Sequence, residues 1–305
     1  MVKLRTTVPS AAAAKRGAVR PRIAAHHVGI GAHVSIAGGY CQALDRAHEA
    51  GLDAMQIFTS SPRSKARREI KKEEEESFSK ACKTSPVRNT YVHTPYYVNV
   101  ASPDSRTWHF SKSYILRELE LMGRAGITYF VMHLGSHLGE GSTVGVARVQ
   151  RMLDEVLAES KGSKTIICAE NTAGSSNSVG SDLEELGSIL KKYGSNPRIG
   201  CIIDTCHTFA AGYDLRTPAA VDTTLKKIDK LIGWKRIPML HFNDSKVDLG
   251  GHADRHEHLG KGFIGLDGLR AVATHRLTQG KDLILETSEE GRAQDLAYLR
   301  QWLKR

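Results

Sequence analysis

The stretch TIICAEN (165–171) sets the pattern of this chain: a short, β-rich apolar run that closes on a carboxylate, Glu170. GCIIDTCH (200–207) repeats it, with Asp204 closing the run. Working outward, the same form recurs at YFVMHLG (129–135), TYVHT (90–94), AMQIFT (54–59) and GIGAHVS (29–35), and in the other direction at PMLHFND (238–244) and DLILET (282–287). Runs this short and apolar suit strands buried on both faces. Between them apolar residues recur at helical spacing, as in Tyr114, Leu116, Leu119 and Met122, then Val149, Leu153 and Leu157. Strands that alternate with helix-length segments imply βαβ units and a parallel sheet. Eight units predict an α/β protein whose residues 28–305 form a single (β/α)₈ TIM barrel. A doubly wound open sheet is the alternative, but no Gly-x-Gly-x-x-Gly turn follows the first run.

Residues 1–27 have a different texture. Lys3, Arg5, Lys15, Arg16, Arg20 and Arg22 occur there with no acid, beside an alanine run and two prolines. Such a composition cannot build a core, so a flexible basic arm is expected, serving as a targeting segment, a DNA-tracking tail or a plain extension. The run Glu73–Glu76 after Lys71 and Lys72 reads as a solvated helix face. No apolar run approaches the roughly 18 residues of a membrane helix. The five cysteines (Cys41, Cys82, Cys168, Cys201, Cys206) contain no Cys-x-x-Cys pair and read as reduced thiols of an intracellular monomer. The compartment expected is cytoplasm or nucleoid if the source is bacterial, or nucleus or organelle if the arm is a targeting signal. A net charge of +10 favours a partner with dense negative charge, nucleic acid or an anionic membrane surface first.

The chemistry lies where polar residues interrupt the apolar runs. His93, His133, Glu170, Asp204, His241 and Glu286 each fall at or near the C-terminal end of a predicted strand, spaced 34 to 45 residues apart. One βα unit spans such a gap, so a parallel barrel would bring all six to one rim. Imidazoles and carboxylates inside hydrophobic strands are costly unless paired or coordinated. One alone would read as a satisfied core residue; six at one level read as a metal site. An imidazole-rich set without thiolates suits zinc, with manganese or iron as substitutes. His207 after the Asp204 run, and Asp254 with His256 after the seventh strand, raise the donors to nine. If one carboxylate bridges, nine donors serve three metals.

These blocks carry a resemblance. HLGSH (133–137), AENTAG (169–174), IDTCH (203–207) followed by AAGYD (210–214), HFND (241–244) and DRH (254–256), together with GAHVS (31–35), resemble in order the signature blocks of endonuclease IV. That is the apurinic/apyrimidinic endonuclease family with a trinuclear zinc centre, and the resemblance spans roughly residues 28 to 305. It implies three Zn²⁺. The first would be held by His93, His133 and Glu170, and Glu170 would bridge to a second completed by Asp204, His241 and Glu286. The third would be held by His207, Asp254 and His256. Glu170 is the expected catalytic residue. The implied reaction is hydrolysis of the DNA phosphodiester 5′ to an abasic site, leaving a 3′-hydroxyl for base excision repair. Cleaning of blocked 3′ ends could accompany it. The partner is double-stranded DNA carrying abasic or 3′-blocked lesions. A metal lowers the pKa of bound water towards about 7, which makes hydroxide available near neutral pH. By position, Arg63 and the pair Tyr96 and Tyr97 are the expected DNA contacts.

The chain departs from the family's usual pattern at Thr287, where proline is common, at Gly250–Ala253 before Asp254, and at Lys65. None of these is an expected ligand. The principal rival is a sugar isomerase or epimerase on a similar barrel, with one or two metals. A DNA-binding protein without catalysis is the other, and retention of nine costly donors argues against it.

Overall fold

The computed structural model describes residues 28–62, 70–175 and 177–304. The basic arm expected over 1–27 lies outside the described residues, as do Arg63 and Lys65. The first half of the sheet consists of β1 (Gly29–His33), β2 (Ala54–Ile57), β3 (Asn89–His93) and β4 (Tyr129–His133). It continues through β5 (Ile166–Glu170), β6 (Ile199–Asp204) and β7 (Met239–His241). A two-stranded ribbon of β8 (Asp244–Ser245) and β9 (His256–Glu257) follows, and β10 (Asp282–Leu285) pairs in parallel with both β7 and β1 to close the barrel. The eight runs read from the sequence are the eight barrel strands.

Helices fill each crossover: α1 (Tyr40–Glu49), α2 (Lys72–Thr84), α3 (Ser105–Ala125), α4 (Ser142–Glu159) and α5 (Leu183–Lys191). After β6 come α6 (Thr205–Ala210) and α7 (Pro218–Leu231), then α8 (Gly265–Thr274) and α9 (Glu289–Trp302). In α3 the Asp104 side chain caps the start by accepting from Thr107 N, and Gly126, at φ 76°, ends the helix in the left-handed conformation that costs glycine little. Its apolar stripe buries Tyr114, Leu119 and Met122, while Leu116 is half-buried. The acidic run falls on α2, with Glu73 and Glu76 exposed as expected. Glu75 differs: it is buried and takes a two-pronged contact from Arg124 of α3, Nε at 2.7 Å and a terminal nitrogen at 3.0 Å.

Strand alternation explains how the barrel positions its polar groups. Side chains two residues apart share one face of a strand. Inside the barrel, Ala54, Tyr91, Val131, Cys168, Ile202, Met239 and Ile284 form a separate apolar cluster. Gly31 completes that layer, since a Cβ there would lie 2.3 Å from Ile284 Cδ1 and 2.6 Å from the Ala54 carbonyl oxygen. Below it, the buried Asp282 carboxylate accepts from Arg88, Asn89 and Tyr91. Two residues above it stand His33, Gln56, His93, His133, Glu170, Asp204, His241 and Glu286, one at or beside the C-terminal end of each strand. A layer of apolar packing thus carries a polar ring.

Candidate metal centre

Six members of that ring are the donors read from the sequence. Glu170 is fully buried at its centre, and its two oxygens face opposite ways. Oε2 lies 2.9 Å from His93 Nε2 and 3.5 Å from His133 Nε2. Oε1 lies 2.6 Å from His241 Nδ1 and 3.5 Å from His207 Nδ1. His241 Nδ1 also faces Glu286 Oε2 at 3.5 Å and Asp204 Oδ2 at 3.9 Å. The donor atoms of His93, His133 and Glu170 form one group, and those of Glu170, Asp204, His241 and Glu286 a second. Within each group they lie within 4.8 Å of one another. Glu170 belongs to both.

A third group comes from the segments that follow β6 and β7. His207 is placed by α6, whose start is capped by Asp204: its Oδ1 accepts from His207 N at 2.8 Å. His207 therefore sits on a helical turn directly after β6. His256 is placed by the ribbon, where Ser245 pairs with His256. Asp244 secures the return of that loop. Its carboxylate accepts backbone N–H groups from Ser245, Gly260, Gly262, Ile264 and Gly265 at 2.8–3.3 Å. A Cβ at Gly262 would lie 2.3 Å from the Ser245 carbonyl oxygen, so the close approach needs glycine. The result sets His207 Nε2 and His256 Nε2 each 3.2 Å from Asp254 Oδ1. Both nitrogens are buried without a hydrogen-bond partner. Orphaned buried nitrogens beside a carboxylate are what a bound cation would satisfy.

The opposite ring nitrogens are accounted for. His93 Nδ1–H donates to the Thr94 carbonyl at 2.7 Å, and His207 Nδ1–H to the Asn171 carbonyl at 2.9 Å. His241 Nε2–H donates to Gln56 Oε1 at 2.7 Å. Each ring is fixed by one nitrogen and turns the other towards the carboxylates, as metal-binding imidazoles do. Asn243 holds the second group from behind, donating to Asp204 Oδ2 and accepting from Glu286 N, both at 2.9 Å.

Electrostatics follow from this packing. Burial penalises the Glu170 carboxylate, but the surrounding imidazoles, His241 and His133 foremost, outweigh it and hold its pKa well below the carboxylate range. Burial opposes the charge on His241 too, yet Glu170 and Glu286 raise its pKa to about 9. His207 is raised well above the usual value by Asp204, Asp254 and Glu170 against the same penalty. His133 is lowered, mainly by burial. The Cys206 thiol lies near Asp204 and His256, but burial keeps it protonated and it donates to the Arg255 carbonyl at 3.5 Å. It is a free thiol, as the sequence suggested, and buried.

Two ring members escaped the sequence reading, His33 and Gln56. Gln56 Nε2 donates to Glu286 Oε1 at 2.6 Å and to His33 Nδ1 at 3.2 Å. The signal was available: both occupy, on the first two strands, the strand-end position that holds a donor on the others. Among the expected DNA contacts, Tyr96 stands 72% exposed at the rim, 6.2 Å from the Phe58 ring. Tyr97 is half-buried and packs on Phe110 and Tyr114 of α3. Arg63 falls outside the described residues.

Fold and ring together define a barrel enzyme class with a polar rim whose clustered imidazoles and carboxylates could hold metal ions, and residues 44–305 match the xylose isomerase-like TIM barrel family. Within it the chain belongs to the endonuclease 4 proteins. It is 39% identical over 273 residues to a probable endonuclease 4 of Cenarchaeum symbiosum, covering 89% of this chain and 97% of that one. It is 40% identical over 266 residues to that of Methanoculleus marisnigri, covering 87% and 94%. The crystal structure of endonuclease IV from Thermus thermophilus superposes with a TM-score of 0.80 at 33% identity, covering 90% and 99%. A D-tagatose 3-epimerase-like protein, 17% identical with a TM-score of 0.71 over 91% and 97%, shares the fold. Among the described residues, no helix is long and apolar enough to cross a membrane.

Proposed function

We propose that this protein is a zinc-dependent endonuclease that hydrolyses the DNA phosphodiester 5′ to an abasic site and leaves a 3′-hydroxyl. The observation that carries this reading is Glu170, buried with one oxygen in each of two donor groups, beside a third group with two orphaned imidazole nitrogens. Sugar isomerases and epimerases on this barrel need one or two metals, whereas three groups suit a substrate with a charged phosphodiester. His93, His133 and Glu170 would hold the first ion, Glu170, Asp204, His241 and Glu286 the second, and His207, Asp254 and His256 the third. Bound zinc supplies a water of lowered pKa and positive charge against the phosphate oxygens and the departing 3′ oxygen.

The protein's own residues do the positioning. Glu170, held ionised by its imidazoles, spans the first two groups and fixes their separation. Thr94, Asn171 and Gln56 fix the rings of His93, His207 and His241. Asp204 serves twice, with one oxygen capping α6 and the other turned to His241 and His256. At the rim, Tyr96 offers an exposed ring to an unstacked lesion and Tyr97 braces that loop; Arg63, outside the described residues, is kept as the cationic contact on its sequence position alone. The net charge of +10 draws the duplex in.

The test is a duplex with one abasic analogue, incubated with the protein before and after metal stripping. A nick on the 5′ side that disappears with the metal and returns with zinc, at three zinc per chain, supports the reading. No nick from a zinc-loaded protein, or a stoichiometry of one, overturns it.

A further inference from the structure

Gln56 stands in the ring of donors but carries no charge, and its side chain is buried at 0% exposure. Every hydrogen on its amide nitrogen is committed, one to Glu286 Oε1 at 2.6 Å and one to His33 Nδ1 at 3.2 Å. Its oxygen lies 2.7 Å from His241 Nε2. The orientation is forced by chemistry. A carboxylate oxygen accepts, and Glu286 Oε1 lies 2.6 Å away, so the amide turns its NH₂ towards it. The carbonyl oxygen is then left for His241, and an oxygen can only accept. His241 must therefore carry a proton on Nε2, which leaves Nδ1 facing Glu170, Glu286 and Asp204. A core amide placed only to fill space would need no such matched partners on three strands.

We propose that Gln56 is a positioning residue that fixes which nitrogen His241 presents to the second donor group and holds the Glu286 carboxylate beside it. This rests on the metal reading above. Through Gln56, β2, which supplies no ligand of its own, joins β7 and β10 to the centre. His33 accepts from the same amide and so carries its proton on Nε2, which completes the chain of partners.

Two variants test it. Gln56→Met keeps the length of the side chain and removes both functions, whereas Gln56→Glu keeps an acceptor for His241 and loses the donor to Glu286. Nitrogen-resolved NMR of the metal-free protein at pH 10, where the His241 ring is neutral and carries one proton, should show that proton on Nε2 and protected from exchange in the wild type and in Gln56→Glu, and lost from Nε2 in Gln56→Met. Zinc competition should show one of the three ions bound about 10–100-fold more weakly in both variants, with the other two unchanged. The assignment is overturned if Gln56→Met keeps the protected His241 signal, or if both variants bind all zinc within twofold of the wild type. Should Gln56→Met fail to fold, loss of the His241 signal in folded Gln56→Glu overturns it equally. A wild type that takes up no zinc overturns the metal reading instead, and the imidazole signal, read without metal, tells the two failures apart.

Discussion

Replacing Glu170 by glutamine changes one oxygen to an NH₂ group and removes one charge, with almost no change in shape. The carboxylate sits 2.6 Å and 2.9 Å from His241 Nδ1 and His93 Nε2, and 3.5 Å from nitrogens of His133 and His207. Whichever way the amide turns, its NH₂ faces one of the two donor groups and can neither bind a cation nor compensate an imidazolium. In the metal-free protein, where His241 and His207 favour their charged forms, breaking this buried network should cost about 3–5 kcal/mol of stability. Loss of the shared ligand should lower abasic-site cleavage by at least about 10⁴-fold, or roughly 5.5 kcal/mol of barrier. Urea unfolding of the metal-free proteins reads the first effect, and single-turnover cleavage with measured zinc content reads the second. A folded Glu170→Gln protein with full zinc content and turnover within tenfold of the wild type would refute the reasoning. Equal stability of the two metal-free proteins would refute its electrostatic half.

Four further outcomes are expected. His241 has a folded pKa raised from 6.5 to about 9, so its contribution to the stability of the metal-free protein is complete below about 6.5 and disappears as pH rises through 9. Urea titrations at pH 6.5 and 9.5 check that sign. Zinc must displace the same proton, so competition with a chelating dye should show apparent affinity rising by about tenfold per pH unit for each proton released. Tyr91→Phe removes a buried hydroxyl that donates to Asp282 at 2.8 Å, and should cost about 1–2 kcal/mol in a thermal melt. Zinc content and cleavage should not change, because Tyr91 lies a full layer below His93. Tyr96→Ala should weaken binding to an abasic duplex by about 1–3 kcal/mol with the metal content intact, whereas binding of both proteins should fall steeply with salt in a fluorescence titration.

The strands were legible because a barrel strand is short, apolar and isolated by turns, and such a pattern depends only on neighbours in sequence. The six donors at strand ends were legible for a related reason: a charge that interrupts an apolar run is visible without knowing what it meets. Glu75 was misread within its acidic run because its partner, Arg124, lies on another helix. Tyr97 was grouped with Tyr96, yet only the packing of α3 against that loop separates a half-buried ring from an exposed one.

The chain by itself therefore determined the barrel and the level at which its donors converge, since short apolar runs and regular βα spacing are local properties. Tertiary structure alone decided how those donors divide into groups, which ring nitrogen each imidazole turns inward, and that Gln56 and His33 complete the ring. The ribbon that carries His256 back to Asp204 belongs with them. These depend on strand register and loop return, which are set by contacts between residues as far apart as Gln56 and Glu286. No local pattern encodes such a contact, because its energy exists only once the barrel has closed.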